Sequence, residues 1–204
     1  MTPPFTLTPV TLRGRHVVLE PMRAADVDPL FRAGTAADLW ANTVSFIRSR
    51  EDMARYVAGA LKAAEERTAL PFVLRRPDSG EVAGSTRFGN ASPEHRRVEI
   101  GWTWVVPDLQ RTPVNTEAKY LMLRHAFESL GVVRVEFKTD FLNAKSRAAL
   151  QRIGAVEEGV LRRHMRTEQG RVRDTVYYSI TDAEWPAVKP RLEALLARPW
   201  PPVH

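Results

Sequence analysis

The sequence predicts a single α/β (α+β) domain on a mixed sheet, spanning residues 1–204, with its core over about 12–180 and a C-terminal helix and Pro-rich tail over 181–204. Three features predict it. Stretches of period-two alternation are interleaved with stretches of helical period. A strand, a helix and a strand follow one another between residues 97 and 138, which demands a parallel crossover. The tetrapeptide Pro77-Asp78-Ser79-Gly80 is strong turn chemistry joining two further strands.

The elements are justified in order. Arg15 to Pro21 reads as a strand through Val17 and Leu19, and Asp26 offers an N-cap for a short helix ending near Gly34. Ser49 and Asp52 open a longer helix to Arg67, with Met53, Tyr56, Val57, Ala60, Leu61 and Ala64 on one face. Strands at Pro71–Arg76 and Glu81–Phe88 follow. After a loop centred on Ser92-Pro93, Arg97 to Val106 alternates, with Val98, Ile100, Trp102 and Trp104 on one face and Arg97, Glu99, Gly101 and Thr103 on the other. A helix is expected from about Val114 to Leu130, where Leu123, Ala126, Phe127 and Leu130 share a face and Gly131 supplies the C-cap. Val133, Val135 and Phe137 then mark a strand, Asn143 precedes a short helix ended by Gly154, and strands at Val156–Met165 and Arg171–Ile180 flank Glu168-Gln169-Gly170. A last helix is expected from Thr181, spaced for a capping box with Glu184, with Pro190 kinking or interrupting it. The Pro-rich ends, Thr2–Pro9 and Pro199–His204, are expected outside the core.

Composition narrows the chemistry. The 204 residues carry 30 Lys+Arg against 24 Asp+Glu, a net charge of +6, and only five of the cations are lysines. Arginine basicity suits phosphate, nucleic acid or an acidic partner without choosing among them. Cysteine is absent, which excludes disulfides, thiol nucleophiles and Cys-ligated metals. No apolar run approaches the ~20 residues that span a bilayer and no signal-peptide pattern opens the chain, so the expectation is a cytoplasmic protein with no membrane partner. Phosphate-loop, dinucleotide, zinc-protease and nucleophile-elbow signatures are missing. The five histidines are scattered and suggest no metal; His125 and His164 read first as packing or surface residues, either able to titrate near neutral pH.

The segments Gln110 to Lys119, Arg134 to Asp140, Asn143 to Gly154 and Glu158 to Arg162 together resemble the GNAT superfamily of acyl-coenzyme A-dependent N-acetyltransferases, in a bacterial branch similar to the ribosomal-protein N-terminal (Rim-type) acetyltransferases. The resemblance covers about residues 12–180. It implies a mostly antiparallel central sheet with a splayed parallel strand pair and helices on both faces, with acetyl-CoA as cosubstrate and an amine acceptor, either a protein N-terminus or a small molecule. It further implies that Trp104, Val105 and Val106 line the coenzyme arm, and that Gln110, Arg111, Thr112, Val114, Asn115 and Thr116 form the pyrophosphate loop and first helical turn, where unpaired N–H groups and the helix dipole favour an anion. Asn143 would contact pantetheine and Lys145 the 3′-phosphate. Helix capping and a solvated lysine are the alternatives for these two residues. Glu99 is the candidate base and Ser146 the candidate acid, a tyrosine common in the superfamily being replaced by about Leu150. A solvent-facing Glu beside Arg97 and an early helix residue are their bland counterparts. Trp102, Trp104, Trp40 and Phe46 could shape an acceptor pocket, with core packing favoured for the strand pair.

The sequence departs from the family at Pro113 and Asn115, where glycine and a small residue are usual. Proline removes one backbone donor. Two readings accompany the enzyme: from Pro113, a non-catalytic relative with a degenerate phosphate loop serving binding or assembly, and, from the charge of +6 and the arginines alone, a nucleic-acid module. The second is not expected, because the cations are spread along the chain and no reader motif exists. The resemblance also allows a homodimer.

Overall fold

The computed structural model describes residues 5–200. Eight strands, β1 (Leu12–Arg13), β2 (Val18–Pro21), β3 (Leu70–Arg75), β4 (Val82–Ser92), β5 (Arg97–Val105), β6 (Arg134–Asp140), β7 (Val156–Arg166) and β8 (Val172–Thr181), form one sheet in the order β1-β2-β3-β4-β5-β6-β8-β7. Every neighbouring pair is antiparallel except β5 and β6, which run parallel. The helices are α1 (Val27–Ala33), α2 (Arg50–Glu65), α3 (Pro113–Arg124), α4 (Ala144–Arg152) and α5 (Trp185–Leu196).

Helices cover both faces. On one, Leu30, Met53, Val57 and Ala60 of α1 and α2 pack with Val73 and Trp104. On the other, Val114, Ala118, Leu121 and Met122 of α3, Leu150 of α4 and Trp185, Val188 and Leu192 of α5 pack on Phe72, Phe88, Val98, Ile100, Val135 and Val176. In β3, Leu70, Phe72 and Leu74 enter the α3 core while Val73 enters the other, so this strand reads as apolar on both sides.

Local signals act as the sequence predicts at several boundaries. Ser49 caps α2 and exchanges bonds with Asp52 in a reciprocal box. Gly131 has φ +61° just past a π-helical turn, His125–Ser129, that ends the α3 region. Gly80, at φ +73°, closes the β3–β4 turn.

Four expectations are corrected. The N-terminal Pro-rich segment is not outside the core: Phe5 and Leu7 are buried against the sheet, because the chain before β1 must cover the open edge of the α3 face. Of the other residues so assigned, Thr6, Thr8, Pro9 and Pro199 are exposed and Trp200 is half-buried, while 2–4 and 201–204 lie outside the described residues. The last helix starts at Trp185 rather than Thr181, since the Glu184 carboxylate accepts from both the Thr181 amide and the Thr181 hydroxyl in a turn. Pro190 does not interrupt it; the helix runs through to Leu196.

The fourth correction concerns β5. Ser85 pairs with Trp104 and Arg87 with Gly101, so both Trp102 and Thr103 stand opposite Thr86, and Trp102 takes φ +50°. This bulge reverses the alternation beyond it. Trp104 thus joins the α1–α2 face, while Thr103 turns toward α3. Trp102, 40% exposed, lies across Gly89, where a Cβ would come within 2.4 Å of its ring.

A carboxylate ties the first hairpin to α3. Buried Glu117 accepts from the backbone N–H groups of Arg15 (2.9 Å), His16 (2.5 Å) and Val17 (2.9 Å). Gly14 is the closest-fitting residue of this clamp, as a Cβ there would lie 2.3 Å from Glu117 Oε2.

Candidate active site

Strands β5 and β6 are registered at only three positions, Arg97 with Arg134, Val98 with Val135 and Glu99 with Glu136. Beyond them β5 continues to Val105 and β6 to Asp140 without pairing, so the sheet opens in its middle. A cavity of about 1110 Å³ fills the opening. Its walls are β5, the start of α3, α4, the end of β6, the β7–β8 hairpin and the loop around Trp40 to Ser45.

At one end lies the α3 N-terminus. Thr112 is the N-cap, its Oγ1 donating to the Leu109 carbonyl (2.7 Å) and accepting from the Val114 amide (3.4 Å), and Pro113 occupies the first helical position. A missing N–H is tolerated there by the helix itself. Arg111 has φ +62°, and Gln110 Nε2 donates to the Val105 carbonyl at 3.1 Å. Arg152 of α4 reaches this end and donates to the Thr116 hydroxyl at 2.9 Å. Two buried polar atoms here have no partner among the described residues, Asn115 Oδ1 and Arg152 Nε. Each leaves room for a further polar partner, a water or a bound group.

In the middle sits Glu99, 5% exposed and not the solvent-facing strand residue that alternation alone allowed. Its Oε2 accepts from Asn90 Nδ2 (2.6 Å) and from the Lys138 ammonium (2.8 Å). Its Oε1 lies over Gly101, where a Cβ would come within 2.8 Å. Burial pulls the Lys138 ammonium down, yet the bond and charge of Glu99 more than offset it, and the net displacement is upward.

Lys119, on α3, is 6% exposed and lines the same cavity. Its Nζ donates to Thr103 Oγ1 at 2.7 Å. Desolvation lowers its pKa to about 7 against the opposing pull of Glu99. An unfolded lysine titrates near about 10.4, so between pH 7 and that value the unfolded chain holds a proton the folded chain has released, and stability rises with pH across the window. The cost of charging the buried amine is full below pH 7, at about 3–5 kcal/mol. Lys119→Met should therefore raise Tm relative to the parent by about 5–10 °C at pH 6 and by much less at pH 10, as read by thermal unfolding at the two pH values.

The far end is polar. Lys138 lies over the Tyr177 ring at 5.1 Å, His164 meets that ring edge-on at 5.8 Å, and Arg173 completes the wall. The covering loop is held by the β7–β8 turn: the Glu168 amide donates to the Val44 carbonyl and its carboxylate accepts from the Phe46 amide.

Among the residues singled out from sequence, Glu99, Ser146, Trp104, Val105, Gln110, Arg111, Thr112, Asn115, Asn143 and Lys145 all line this cavity. Val106, Val114 and Thr116 do not. The Val106 amide donates to the Ala83 carbonyl, Val114 packs into the core, and the buried Thr116 hydroxyl is taken by Arg152. Asn143 is the N-cap of α4, its Oδ1 accepting from the Ser146 amide at 3.0 Å. Trp40 and Trp104 line the cavity but are packed at 5.5 Å in the α1–α2 core, whereas Trp102 carries the Arg87 guanidinium 4.7 Å above its ring. His125 packs beside Phe88, and burial lowers its pKa. Sequence reasoning missed Lys119, Arg152 and Arg173. No group of metal-ligating side chains occurs among the described residues, and none of their helices is long and apolar enough to cross a membrane.

A family model described as an acetyltransferase (GNAT) domain matches residues 16–156. The chain is 34% identical over 110 residues to YdaF of Bacillus subtilis, assigned by name as a ribosomal N-acetyltransferase; the match spans 54% of this chain and 59% of that protein, under two thirds of its length. Among solved structures, a GCN5-related N-acetyltransferase from Brucella melitensis superposes with a TM-score of 0.88 at 33% identity, covering 97% of this chain and 90% of the other. Mycobacterium smegmatis RimJ, solved in complex with CoA-disulfide, superposes with a TM-score of 0.77 at 27% identity, covering 98% and 100%.

Proposed function

The chain belongs to the GNAT acetyltransferase family, and from that premise we propose that it is an N-acetyltransferase moving an acetyl group from acetyl-CoA to a primary amine by direct attack. The observation that carries the proposal is the opening between β5 and β6, whose two arms and adjoining helix N-terminus supply main-chain and side-chain partners for an extended, anionic cosubstrate. The orphaned Asn115 and Arg152 atoms fit the same ligand, since a pyrophosphate accepts from a guanidinium and a coenzyme amide donates to an Asn oxygen. Bound acetyl-CoA supplies the activated acyl group.

The chain's own residues do the rest. Arg111, Thr112, Arg152 and the backbone N–H of Asn115 hold phosphate at the α3 end, Trp104, Val105 and Asn143 flank the arm, and Lys145 stands on the cavity wall for the 3′-phosphate. Glu99 takes the proton of the incoming ammonium, directly or through a water, on its Oε1, the atom left without a partner while Oε2 is held by Asn90 and Lys138. Ser146 protonates the departing sulfur. With no cysteine in the chain, no thiol carries the acyl group between them.

Thiol release from acetyl-CoA, measured against a panel of amines including peptide N-termini and small amines, tests the activity. Ser146→Ala should lower kcat by about tenfold to a hundredfold, evenly across pH, with KM for acetyl-CoA little changed. Unchanged rates would remove the hydroxyl from the mechanism.

Pro113 favours a second reading, a binding protein on the same fold, because the first helical position has no N–H to offer a phosphate. Calorimetric titration with acetyl-CoA separates the two. A ribosomal amine is the acceptor suggested by the name of YdaF. A second copy of the chain would add along β7, whose outer edge is unpaired and leaves Val160, Leu161 and Met165 exposed. Light scattering reads that state directly.

A further inference from the structure

The end of the cavity beyond Glu99 contains a cation without a counter-ion. Arg173, on β8, is only 5% exposed, yet it lines the cavity. Its Nε donates to Thr175 Oγ1 at 2.9 Å, and neither Nη1 nor Nη2 meets an acceptor among the described residues. The two carboxylates within electrostatic reach are already engaged. Glu99 holds Lys138 at 2.8 Å. Asp140, whose side chain is wholly buried, pairs with Arg171 and accepts from the Leu142 amide at 2.9 Å. Three cations thus face two carboxylates.

A guanidinium stays charged at any physiological pH, so burial does not neutralise it, although burial lowers its pKa. An uncompensated buried charge is costly, and the cost is relieved when an anion with matching geometry binds. The excess of positive charge selects an anion. Lys119, across the opening on Thr103, can only add to that excess, and Asp38 of the covering loop is exposed to water. The planar fork left by Nη1 and Nη2 suits the two oxygens of a carboxylate.

We propose that Arg173 is the anion-recognition residue of the acceptor site, and that the acceptor is a primary amine bearing a carboxylate, its nitrogen directed to Glu99 and its carboxylate to Arg173. The proposal rests on the acetyltransferase reading above and specifies its substrate class. Glu99, Lys138, Tyr177 and Arg173 line one cavity, with Lys138 held by Glu99 and lying over the Tyr177 ring, so the acceptor proposed here would extend from Glu99 past Lys138 to Arg173. The carboxylate has two sources, the α-carboxylate of a free amino acid or an acidic side chain at a peptide N-terminus.

The test compares amines differing only in charge: free glutamate and other amino acids against their α-carboxamides, and C-terminally amidated peptides beginning with Asp or Glu against those beginning with Asn or Gln. Phosphoethanolamine against ethanolamine tests the dianion. Thiol release is read together with calorimetric binding of each amine to the CoA-saturated protein. The proposal expects the carboxylate member of one pair to be favoured by about tenfold or more in kcat/KM and in affinity. Arg173→Met should abolish that preference chiefly through KM, and Arg173→Lys should restore part of it. Equal treatment of carboxylate and carboxamide, no measurable binding of any carboxylate amine, a stronger preference for phosphoethanolamine, or a preference that survives Arg173→Met would each overturn it. Should Arg173→Met fail to fold, Arg173→Lys decides, since a lysine lacks the fork. Titration with acetyl-CoA keeps the two readings apart: absent binding removes the acetyltransferase, whereas intact binding without carboxylate preference removes only the assignment to Arg173.

Discussion

Replacing Glu117 by alanine is expected to destabilise the folded chain by about 3–5 kcal/mol, or roughly 10 °C in Tm. Hydrogen bonds to an ionised acceptor contribute about 1.5–3 kcal/mol each, and three backbone donors converge on this carboxylate from Arg15, His16 and Val17. Truncation leaves those amides under α3 without acceptors, and partial entry of water keeps the total below the sum. Glu117→Gln retains one carbonyl oxygen and should cost about half as much. Gly14→Ala should be disruptive alone, since its Cβ would lie 2.3 Å from Oε2, and nearly harmless once Glu117 is alanine. Chemical unfolding of the two single variants and the double variant reads this coupling, and additive effects would separate the glycine from the clamp.

Glu99→Gln should lower turnover by about 10²- to 10⁴-fold, with the loss greatest at low pH, where the ammonium form of the acceptor most needs a base. The substitution preserves size and leaves an oxygen that can still accept from Lys138 or Asn90, so folding and acetyl-CoA binding should persist. A pH–rate profile for both proteins, with calorimetry of acetyl-CoA as the control, distinguishes a proton acceptor from a structural partner of Lys138. Wild-type rates throughout would leave Glu99 only the structural role.

The order of elements was legible because each carries its own period: alternation in β5, the Leu123, Ala126 and Leu130 spacing from α3 through the π-helical turn, turn residues at Pro77 to Gly80. The parallel crossover followed from chain order alone. Misreadings arose where one residue changed a phase or a remote segment supplied the environment. A single added residue at Trp102 moves Trp104 to the opposite face, and nothing in the alternation of Val98, Ile100, Trp102 and Trp104 announces it. Lys119 had a visible signal, since it stands four residues before Leu123 and seven before Ala126, on the apolar face of α3. Arg173 had none: with Thr175 and Tyr177 it repeats the polar side of an ordinary solvated strand, and nothing local announces its burial beside β7 in the wall of a cavity. The donors of Glu117 lie about a hundred residues earlier in the chain, beyond the reach of any local pattern.

A sheet usually has two edges, both at its outside; this one has four, because separation of β5 from β6 creates a second pair in the interior. Such inner edges are unsafe on a protein surface, where any extended strand could add to them. Here residues of α3, α4 and the loop near Trp40 line the opening together with the two arms. Amides on these inner edges should exchange with deuterium far faster than their neighbours bonded to β4 and β8, and slow sharply once a ligand lies between the arms. The recognition this offers comes from the polypeptide backbone and is largely indifferent to side-chain identity. On the proposed acetyltransferase reading, side chains at the acceptor end could therefore change without altering the hold of the inner edges on the coenzyme.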